Sequence, residues 1–455
     1  MKNTTPNPMK EIDHRFNPWT SEDELEHFPS VMEWWAVEAF FKTIQNQTDW
    51  SIKVAFTEWY ENKDIIGSIN NITLFNLTKN TKSVYYKRDD INKLKSDKNQ
   101  FHVQFENSSM SGKFPKYHMH FENTDENIIV DFDLLAKSYP HWIAQDTTNG
   151  WLPMGLGFYR YGYIPNTQLT GTLHHNQQTE PIQGTAYYEH VWGDFLYDNP
   201  INNTTSIKKT IKTYWQLLEW WLKHNTITIP NSITLAAENN PFGYDWVWAV
   251  FDNDWSIFYG NIMFWIMDGP VLGTLVLSKD GKHYHEFGNI QFHYLKKRYA
   301  KHYDFYYPTE FEITAQDDQQ KIYLKFTMTK EPREYVNHFP YAKQLWIGLA
   351  ICESPGTVEG YYEDSTGKTI LNGFCKIEPQ RQISILGHNQ LTFDFIKPPK
   401  GIGINCQMTS HYLKKQGQFG LSFTPWPHLK AKLTKIDPKT INNNLAQLKK
   451  PKKIS

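Results

Sequence analysis

The sequence predicts an all-β protein made of two consecutive antiparallel β-barrels, with one inserted or bridging helix. Short alternating apolar segments recur along the chain, separated by Asn, Asp, Gly and Ser, which is the pattern of antiparallel strands. Aromatic residues make up 16% of the 455 residues, and aromatic side chains favour pleated, half-buried surfaces. One segment near the middle of the chain has helical spacing instead.

These patterns divide the chain into four parts. Residues 1–30 are a proline-containing, irregular leader, and residues 31–240 form the first barrel together with the helix. Residues 241–440 form the second barrel, and residues 441–455 are a basic, solvated tail.

Strands are expected wherever apolar and polar residues alternate between turn residues. In the first barrel the expected strands are 51–60, 72–77, 83–86, 100–105, 117–121 and 127–135. In the second barrel they are 244–251, 255–267, 272–277, 283–293, 311–315, 321–329, 344–351, 356–362, 373–378, 390–394 and 418–423.

The helix is expected at 206–224, with Ser206 as its N-cap. Its spacing predicts an apolar stripe made of Ile207, Ile211, Tyr214, Leu218, Trp221 and Leu222. Two interpretations of this Trp-rich stripe stay open. It docks on the protein core, or it makes transient contact with a membrane surface.

Composition and motifs exclude several classes of function. A formal net charge of −1 argues against nucleic-acid binding, and three widely spaced cysteines do not form a disulfide framework. His118 and His120 share a strand face without an apparent third ligand, so no metal is expected. No P-loop, dinucleotide or nucleophile-elbow motif indicates a cofactor or a covalent mechanism. The absence of an apolar leader predicts a cytoplasmic protein.

The most informative segment is 184–195, GTAYYEHVWGDF. On a strand, His190 and Trp192 face the same side, which places a titratable group beside a large aromatic wall. Such a pair suits an apolar, alkene-like substrate. His190 is alternatively a structural core histidine, and Trp192 is alternatively a packing residue.

Four segments in order carry a resemblance to a known family. They are Glu33-Trp34-Trp35, the run 186–193 (AYYEHVWG), the run 245–248 (DWVW) with Asp252, and the runs 358–360 (VEG) and 373–378 (GFCKIE). This set resembles the AttH and carotenoid 1,2-hydratase-like (CrtC-type) superfamily of tandem lipocalin-like proteins. The resemblance implies lipocalin-like barrels and a large apolar ligand. Glu189, where the family often has Asp, and the inserted helix depart from its pattern.

The resemblance also implies site residues. His190 would act with a carboxylate on the following strand, which is Asp252 by position and Asp245 as the second choice. Asp252 is alternatively a hairpin turn residue. The substrate-binding residues implied are Trp192, Tyr188, Trp246, Trp248, Trp34 and Trp35.

Two functions follow as expectations. The first is a cofactor-independent enzyme that hydrates, cyclises or isomerises an alkene in an isoprenoid- or polyketide-like substrate. A buried carboxylic acid would protonate the alkene, and aromatic rings would stabilise the cation. The second is a non-catalytic binder or carrier of a hydrophobic ligand. In both cases the partner is a hydrophobic small molecule, expected in the cleft between the barrels.

Overall fold

The computed structural model describes seventeen segments of the chain. They are residues 19–27, 30–61, 64–89, 94–154, 157–195, 207–226, 232–235, 244–261, 273–300, 305–317, 319–337, 346–384, 389–396, 403–410, 415–417, 420–423 and 429–432. The predicted tail at 441–455 and the expected N-cap Ser206 lie outside these segments. Of the predicted leader, residues 21–24 form a 3-10 helix, Ser21–Glu24, with Thr20 at its N-cap.

The first barrel is a curled antiparallel sheet of thirteen strands. These are β1 (Met32–Thr43), β2 (Asp49–Glu61), β3 (Asp64–Asn76), β4 (Thr81–Asp89), β5 (Leu94–Ser96), β6 (Phe101–Phe105), β7 (Ser108–Lys113), β8 (Lys116–Asn123), β9 (Ile128–Ala136), β10 (His141–Trp142), β11 (Trp151–Met154), β12 (Gly157–His175) and β13 (Gln178–Asp194). The strand order is β4-β3-β2-β1-β13-β12-β9-β8-β7-β6-β5, and β10 and β11 pair with β12.

The second barrel is a ten-stranded sheet with the same arrangement. Its strands are β15 (Tyr244–Phe251), β16 (Ser256–Gly260), β17 (Thr274–Ser278), β18 (Tyr284–Glu286), β19 (Gln291–Ala300), β20 (Phe305–Gln316), β21 (Lys321–Met328), β22 (Arg333–Asn337), β23 (Trp346–Asp364) and β24 (Gly367–Ser384). The order β18-β17-β16-β15-β24-β23-β21-β20-β19 again pairs the first long strand with the last. The predicted pair of lipocalin-like barrels is therefore confirmed.

Two small sheets complete the described strands. One contains β14 (Ser232–Leu235), β25 (Asn389–Ile396), β26 (Gly403–Ser410) and β27 (Lys415–Gly417), and the other contains β28 (Gly420–Phe423) and β29 (Leu429–Lys432).

The predicted helix is present as α2 (Ile207–His224), and a single turn, α1 (Gln145–Thr148), precedes it. The predicted docking stripe of α2 is wrong in its position. The helix buries Thr210, Thr213, Leu217 and Trp221, and only Trp221 among these belongs to the predicted stripe, whose members Ile207, Ile211 and Leu222 are exposed. Apolar residues surround much of this helix, so periodicity identified the helix but not its docked face. No helix among the described segments is long and apolar enough to span a membrane.

The two barrels contact each other through aromatic side chains. Tyr163 of β12 stacks on Phe258 of β16 with ring centroids 4.7 Å apart. The indole Nε1 of Trp248 donates to the carbonyl oxygen of Pro165 at 2.7 Å. Aromatic packing and buried hydrogen bonds therefore hold the barrels together around a shared core.

Candidate active site

Strand β13 presents alternate residues to two environments. Tyr188 and Trp192 belong to the core of the first barrel, and His190 stacks on the core residue Trp35. Tyr187 lies on the opposite face and packs toward the second barrel, as does Glu189. His190 and Trp192 share a face, as their spacing predicts, with ring centroids 4.8 Å apart.

His190 is fully buried and has hydrogen-bond partners on both ring nitrogens. Its Nδ1 lies 2.9 Å from the carbonyl oxygen of Asp23, and because a carbonyl cannot donate, Nδ1 carries the proton. Its Nε2 lies 2.7 Å from Oε1 of Glu33. Burial lowers the pKa of His190 to about 3 and raises the pKa of Glu33 to about 7. Between these two pKa values, the Glu33 carboxylic acid therefore donates to a neutral imidazole.

His27 closes this cluster from the segment that precedes β1. Its ring stacks on Trp192 at 3.6 Å, and its backbone N–H lies 3.0 and 2.9 Å from the two carboxyl oxygens of Glu33. Within the described segments, His27, Glu33 and His190 each offer one atom that could bind a metal ion, a ring nitrogen or a carboxyl oxygen. These three atoms lie within 4.8 Å of one another. A cation would bind here only by displacing the proton shared by Glu33 and His190.

A cavity lies on the other face of β1 and β13, between the two barrels. The volume of this cavity that is open to the centre of a water-sized sphere is about 150 Å³. This is roughly ten times the volume that one water molecule needs by the same measure. Both barrels and α2 contribute apolar and aromatic lining residues, including Trp34, Ile69, Tyr161, Leu217, Trp221, Trp246 and Phe258. The composition of this lining suits an apolar ligand.

The carboxyl group of Glu189 lines this cavity and is held by three donors. Nε1 of Trp34 donates to Oε1 at 2.8 Å, and the hydroxyl of Tyr187 donates to Oε2 at 2.8 Å. The hydroxyl of Tyr161 donates to the same Oε2 and accepts from Nε1 of Trp246 at 2.9 Å. Burial raises the pKa values of both tyrosines, so they remain neutral donors. This arrangement stabilises a negative charge on Glu189.

A second carboxyl group, Glu286 at the end of β18, also lines the cavity. It accepts one hydrogen bond, from Oγ1 of Thr274 at 2.6 Å. Burial raises the pKa of Glu286, which favours its protonated form. Two of the carboxyl groups that line the cavity, Glu189 and Glu286, therefore have contrasting environments.

Ion pairs line another part of the cavity, and they join the two barrels. Nζ of Lys53 contacts the carboxylates of Glu378 and Glu353 in the second barrel, the latter at 3.1 Å. In return, Nζ of Lys376 lies 2.8 Å from Oε2 of Glu38 in the first barrel. These contacts fix the relative positions of β1, β2 and β24 around the ligand space.

Solved structures share this architecture, although no family model and no curated protein sequence matches the chain significantly. An AttH protein of Nitrosomonas europaea aligns with a TM-score of 0.53 and 14% identity, over 83% of this chain and 99% of its own. Kievitone hydratase of Nectria haematococca aligns with a TM-score of 0.52 and 12% identity, over 80% of this chain and 93% of its own. The chain has the tandem lipocalin-like fold of these proteins. At such low identity the likeness concerns the fold alone.

Within this tandem lipocalin-like fold, the three residues predicted to be catalytic do not meet. His190 lies in the core of the first barrel, and Asp252 lies in an exposed turn after β15. Asp245 is buried within the second barrel. Its Oδ1 lies 2.8 Å from Nη2 of Arg381, and its Oδ2 accepts a hydrogen bond from the hydroxyl of Tyr294 at 2.7 Å. None of the three lines the cavity. Asp252 therefore matches its turn interpretation, and Asp245 is a buried ion-pair residue.

The predicted substrate-binding residues also separate into groups. Trp34 and Trp246 line the cavity, whereas Trp35, Tyr188 and Trp192 belong to the core of the first barrel. Trp248 packs in the contact between the barrels and is absent from the cavity wall.

Sequence reasoning missed Glu189 and Glu286 as residues of the cavity wall. Glu189 stands beside His190, and on a strand the neighbour of a core residue faces outward. This alternation could have identified Glu189 as a cavity residue, because the ligand was expected in the cleft between the barrels. Glu286 has no comparable signal, because the folding of the second barrel alone brings β18 to the cavity.

Proposed function

We propose that the chain catalyses the hydration, cyclisation or isomerisation of an alkene in an apolar, isoprenoid- or polyketide-like substrate, bound in the cavity between the barrels. The observation that carries this proposal is that Glu189 and Glu286, two carboxyl groups in contrasting environments, line one cavity together with aromatic side chains. Environments that differ between two carboxyl groups are what acid–base catalysis requires.

Glu286 is the proposed general acid. Its protonated carboxyl group transfers a proton to one alkene carbon, so a C–H bond forms and the π bond breaks. A carbocation remains on the neighbouring carbon. The indole rings of Trp34 and Trp246, which line the cavity, stabilise this cation through their π faces.

Glu189 is the proposed general base. In hydration it takes a proton from the water that adds to the cation, and in isomerisation or cyclisation it takes a proton from a neighbouring carbon. The hydrogen bonds from Trp34, Tyr161 and Tyr187 hold its oxygens in position for this step. Solvent exchange then returns the proton to Glu286, so the catalyst is regenerated.

The test is an incubation with an extract of apolar isoprenoids and polyketides in ¹⁸O-labelled water, followed by mass spectrometry. The variants Glu189→Gln and Glu286→Gln should each lose a factor of about 10²–10⁴ in rate. Glu363→Gln, a change at an exposed position on β23, is the matched control and should keep full activity.

The products separate the reaction types. A labelled product indicates hydration, and an unlabelled isomer indicates cyclisation or isomerisation. A wild-type protein that retains a lipid unchanged would instead be a carrier. Full activity in both carboxyl variants would overturn the assignment of the acid and the base.

A further inference from the structure

One wall of the cavity is polar, and its charged side chains are paired with one another. This polar wall consists of Glu38, Lys53, Asn71, Tyr335, Glu378 and Gln380. The ion-pair network to which it belongs has three carboxylates and three cations, namely Glu38, Glu353, Glu378, Lys53, Lys376 and Arg333. A charged ligand group placed here would find no unpaired counter-charge, and burying an unpaired charge is strongly unfavourable.

The neutral members of the polar wall are mostly satisfied. Nδ2 of Asn71 donates to the hydroxyl of Tyr335 at 3.0 Å, and Oδ1 of Asn71 accepts from Nη1 of Arg333 at 2.5 Å. The hydroxyl of Tyr335 in turn lies 3.3 Å from Oε2 of Glu353. These groups therefore form hydrogen bonds with one another, and few of their donors and acceptors remain for a ligand.

Gln380 is the exception. Its Nε2 donates to Oε1 of Glu378, which fixes the orientation of the amide because a carboxylate cannot donate. Its Oε1 is buried and accepts no hydrogen bond from any described residue, and only 4% of the residue is exposed. Buried acceptors without a donor are rare in folded proteins. A donor on the ligand would satisfy this oxygen.

We infer that the cavity selects apolar ligands that carry one uncharged hydrogen-bond donor, an alcohol or phenol, which donates to Oε1 of Gln380. This inference specifies the substrate class of the proposed function. It rests on that function only in that both use the same cavity. Lys53, the cation on this wall, already pairs with Glu353 and Glu378, which disfavours an ionised carboxylate on the ligand, and pure hydrocarbons leave the Gln380 oxygen unsatisfied.

The experiment compares three probes with one carbon skeleton: farnesol, farnesoic acid at pH 8 and the hydrocarbon farnesene. Binding is measured by quenching of tryptophan fluorescence. We expect farnesol to bind roughly ten-fold more tightly than farnesene, and farnesoic acid to bind most weakly. Gln380→Met should remove the preference for farnesol and leave the affinity for farnesene unchanged.

The outcomes are separable. Equal or tighter binding of farnesoic acid would overturn the inference, as would Gln380→Met weakening farnesol and farnesene equally. If Gln380→Met fails to fold by circular dichroism, the ranking of the three probes by the wild type decides alone. Turnover of a hydrocarbon or carboxylate substrate that needs Glu189 would overturn this inference and keep the proposed function. Absence of binding by all three probes would overturn this inference, and the proposed function would still be decided by the incubation with the extract.

Helix α2 carries an independent observation, an exposed apolar ridge. Ile207, Ile211, Trp215 and Leu222 lie at positions i, i+4, i+8 and i+15 and are 49%, 59%, 66% and 47% exposed. Exposed cations, including Lys208 and Lys212, flank this ridge. An apolar ridge beside cations is the pattern of a helix that lies in the surface of an anionic membrane.

We propose that α2 docks on an anionic lipid surface through this ridge. The same helix contributes Leu217, Trp220 and Trp221 to the cavity wall, so it lies between the docking surface and the ligand space. A ligand that partitions into a bilayer would then reach the cavity beside α2 without crossing water.

The test is co-sedimentation with phosphatidylcholine vesicles, with and without about one-third phosphatidylserine. We expect binding to the anionic vesicles that weakens at high salt. The double change Ile211→Glu with Trp215→Glu should reduce this binding at least ten-fold. Ile370→Glu, at another exposed apolar position, is the control and should bind like the wild type. Failure of the wild type to bind anionic vesicles, or concentration-dependent self-association through the ridge, would overturn the proposal.

Discussion

Nε2 of His190 lies 2.7 Å from Oε1 of Glu33, and both side chains are fully excluded from solvent. The pair joins β13 to the start of β1, and the backbone carbonyl of Asp23 fixes the imidazole from its other side. Because the cavity lies on the opposite face of both strands, this pair joins two strands of the first barrel and does not line the cavity.

Glu33 should make the stability of the protein depend on pH. Burial raises its pKa from 4.5 to about 7, so the folded state binds more protons than the unfolded state between these values. Its contribution is therefore complete below pH 4.5 and is lost as pH rises toward 7. Glu33→Gln should make the unfolding free energy less dependent on pH by about 1.4 kcal/mol per pH unit in this window.

Urea denaturation of the wild type and Glu33→Gln between pH 4.5 and 7.5 checks this prediction. Glutamine can donate to His190 and accept from the backbone N–H of His27, so the variant should fold. Parallel pH dependences for the two proteins would show that Glu33 does not titrate in this range.

His190→Ala should act on stability before it acts on chemistry. The change removes a hydrogen-bond partner from the Asp23 carbonyl and from the Glu33 carboxyl group, which keeps its contacts with His27. It also opens a void beside Trp35, for a total cost of about 3 kcal/mol or more. Denaturant unfolding measures this cost, and the rate per folded molecule should stay within a few-fold of the wild-type rate. A variant of unchanged stability that has lost turnover would restore the catalytic role that the sequence resemblance implied for His190.

Asp245 and Asp252 should respond very differently to the same change. Asp245→Asn removes the counter-charge of the fully buried Arg381, which should cost about 3–5 kcal/mol. Asp252→Asn alters an exposed turn residue and should stay within about 0.5 kcal/mol of the wild type. Thermal unfolding of the two variants side by side makes the comparison. Similar melting temperatures would contradict the buried ion pair.

Gly193, the glycine of the His-x-Trp-Gly motif, should not tolerate a side chain. A Cβ atom there would lie 2.3 Å from the carbonyl oxygen of Phe158 and 2.4 Å from Cα of Tyr159 on the neighbouring strand. Gly193→Ala should cost about 1–3 kcal/mol. Gly260→Ala, whose Cβ would meet only the Phe258 ring at 3.3 Å or more, is the matched control. Chemical denaturation of both variants tests the difference.

Much of the fold could be predicted from the sequence because its signals are local. Alternation and turn residues identified strands such as β2, β8 and β15, and the spacing at 206–224 located α2, which begins at Ile207. The docked face of α2 could not be predicted, since apolar residues such as Ile211 and Leu217 occur on more than one side of the helix. Only the packing of the two barrels decides which side is covered.

The candidate site was less predictable because it is assembled from distant parts of the chain. The motif around His190 lies on β13, and this strand does contribute to the cavity wall. The contributing side chain, however, is that of the adjacent residue, Glu189. Which face of a strand meets a ligand depends on what packs against it. Here the second barrel packs against the face that carries Tyr187 and Glu189, and it also contributes Glu286.

The alternation along β13 also constrains how this protein can change over time. Tyr187 holds Glu189 in the cavity wall, so substitutions at these two positions alter the cavity, while His190 and Trp192 keep their places in the barrel core. The cavity wall can therefore change by point mutation without loss of the scaffold. Insertion or deletion of one residue in β13 would exchange the two sets and place a carboxylate in the core, so this strand tolerates substitution at its cavity-facing position better than a change of length.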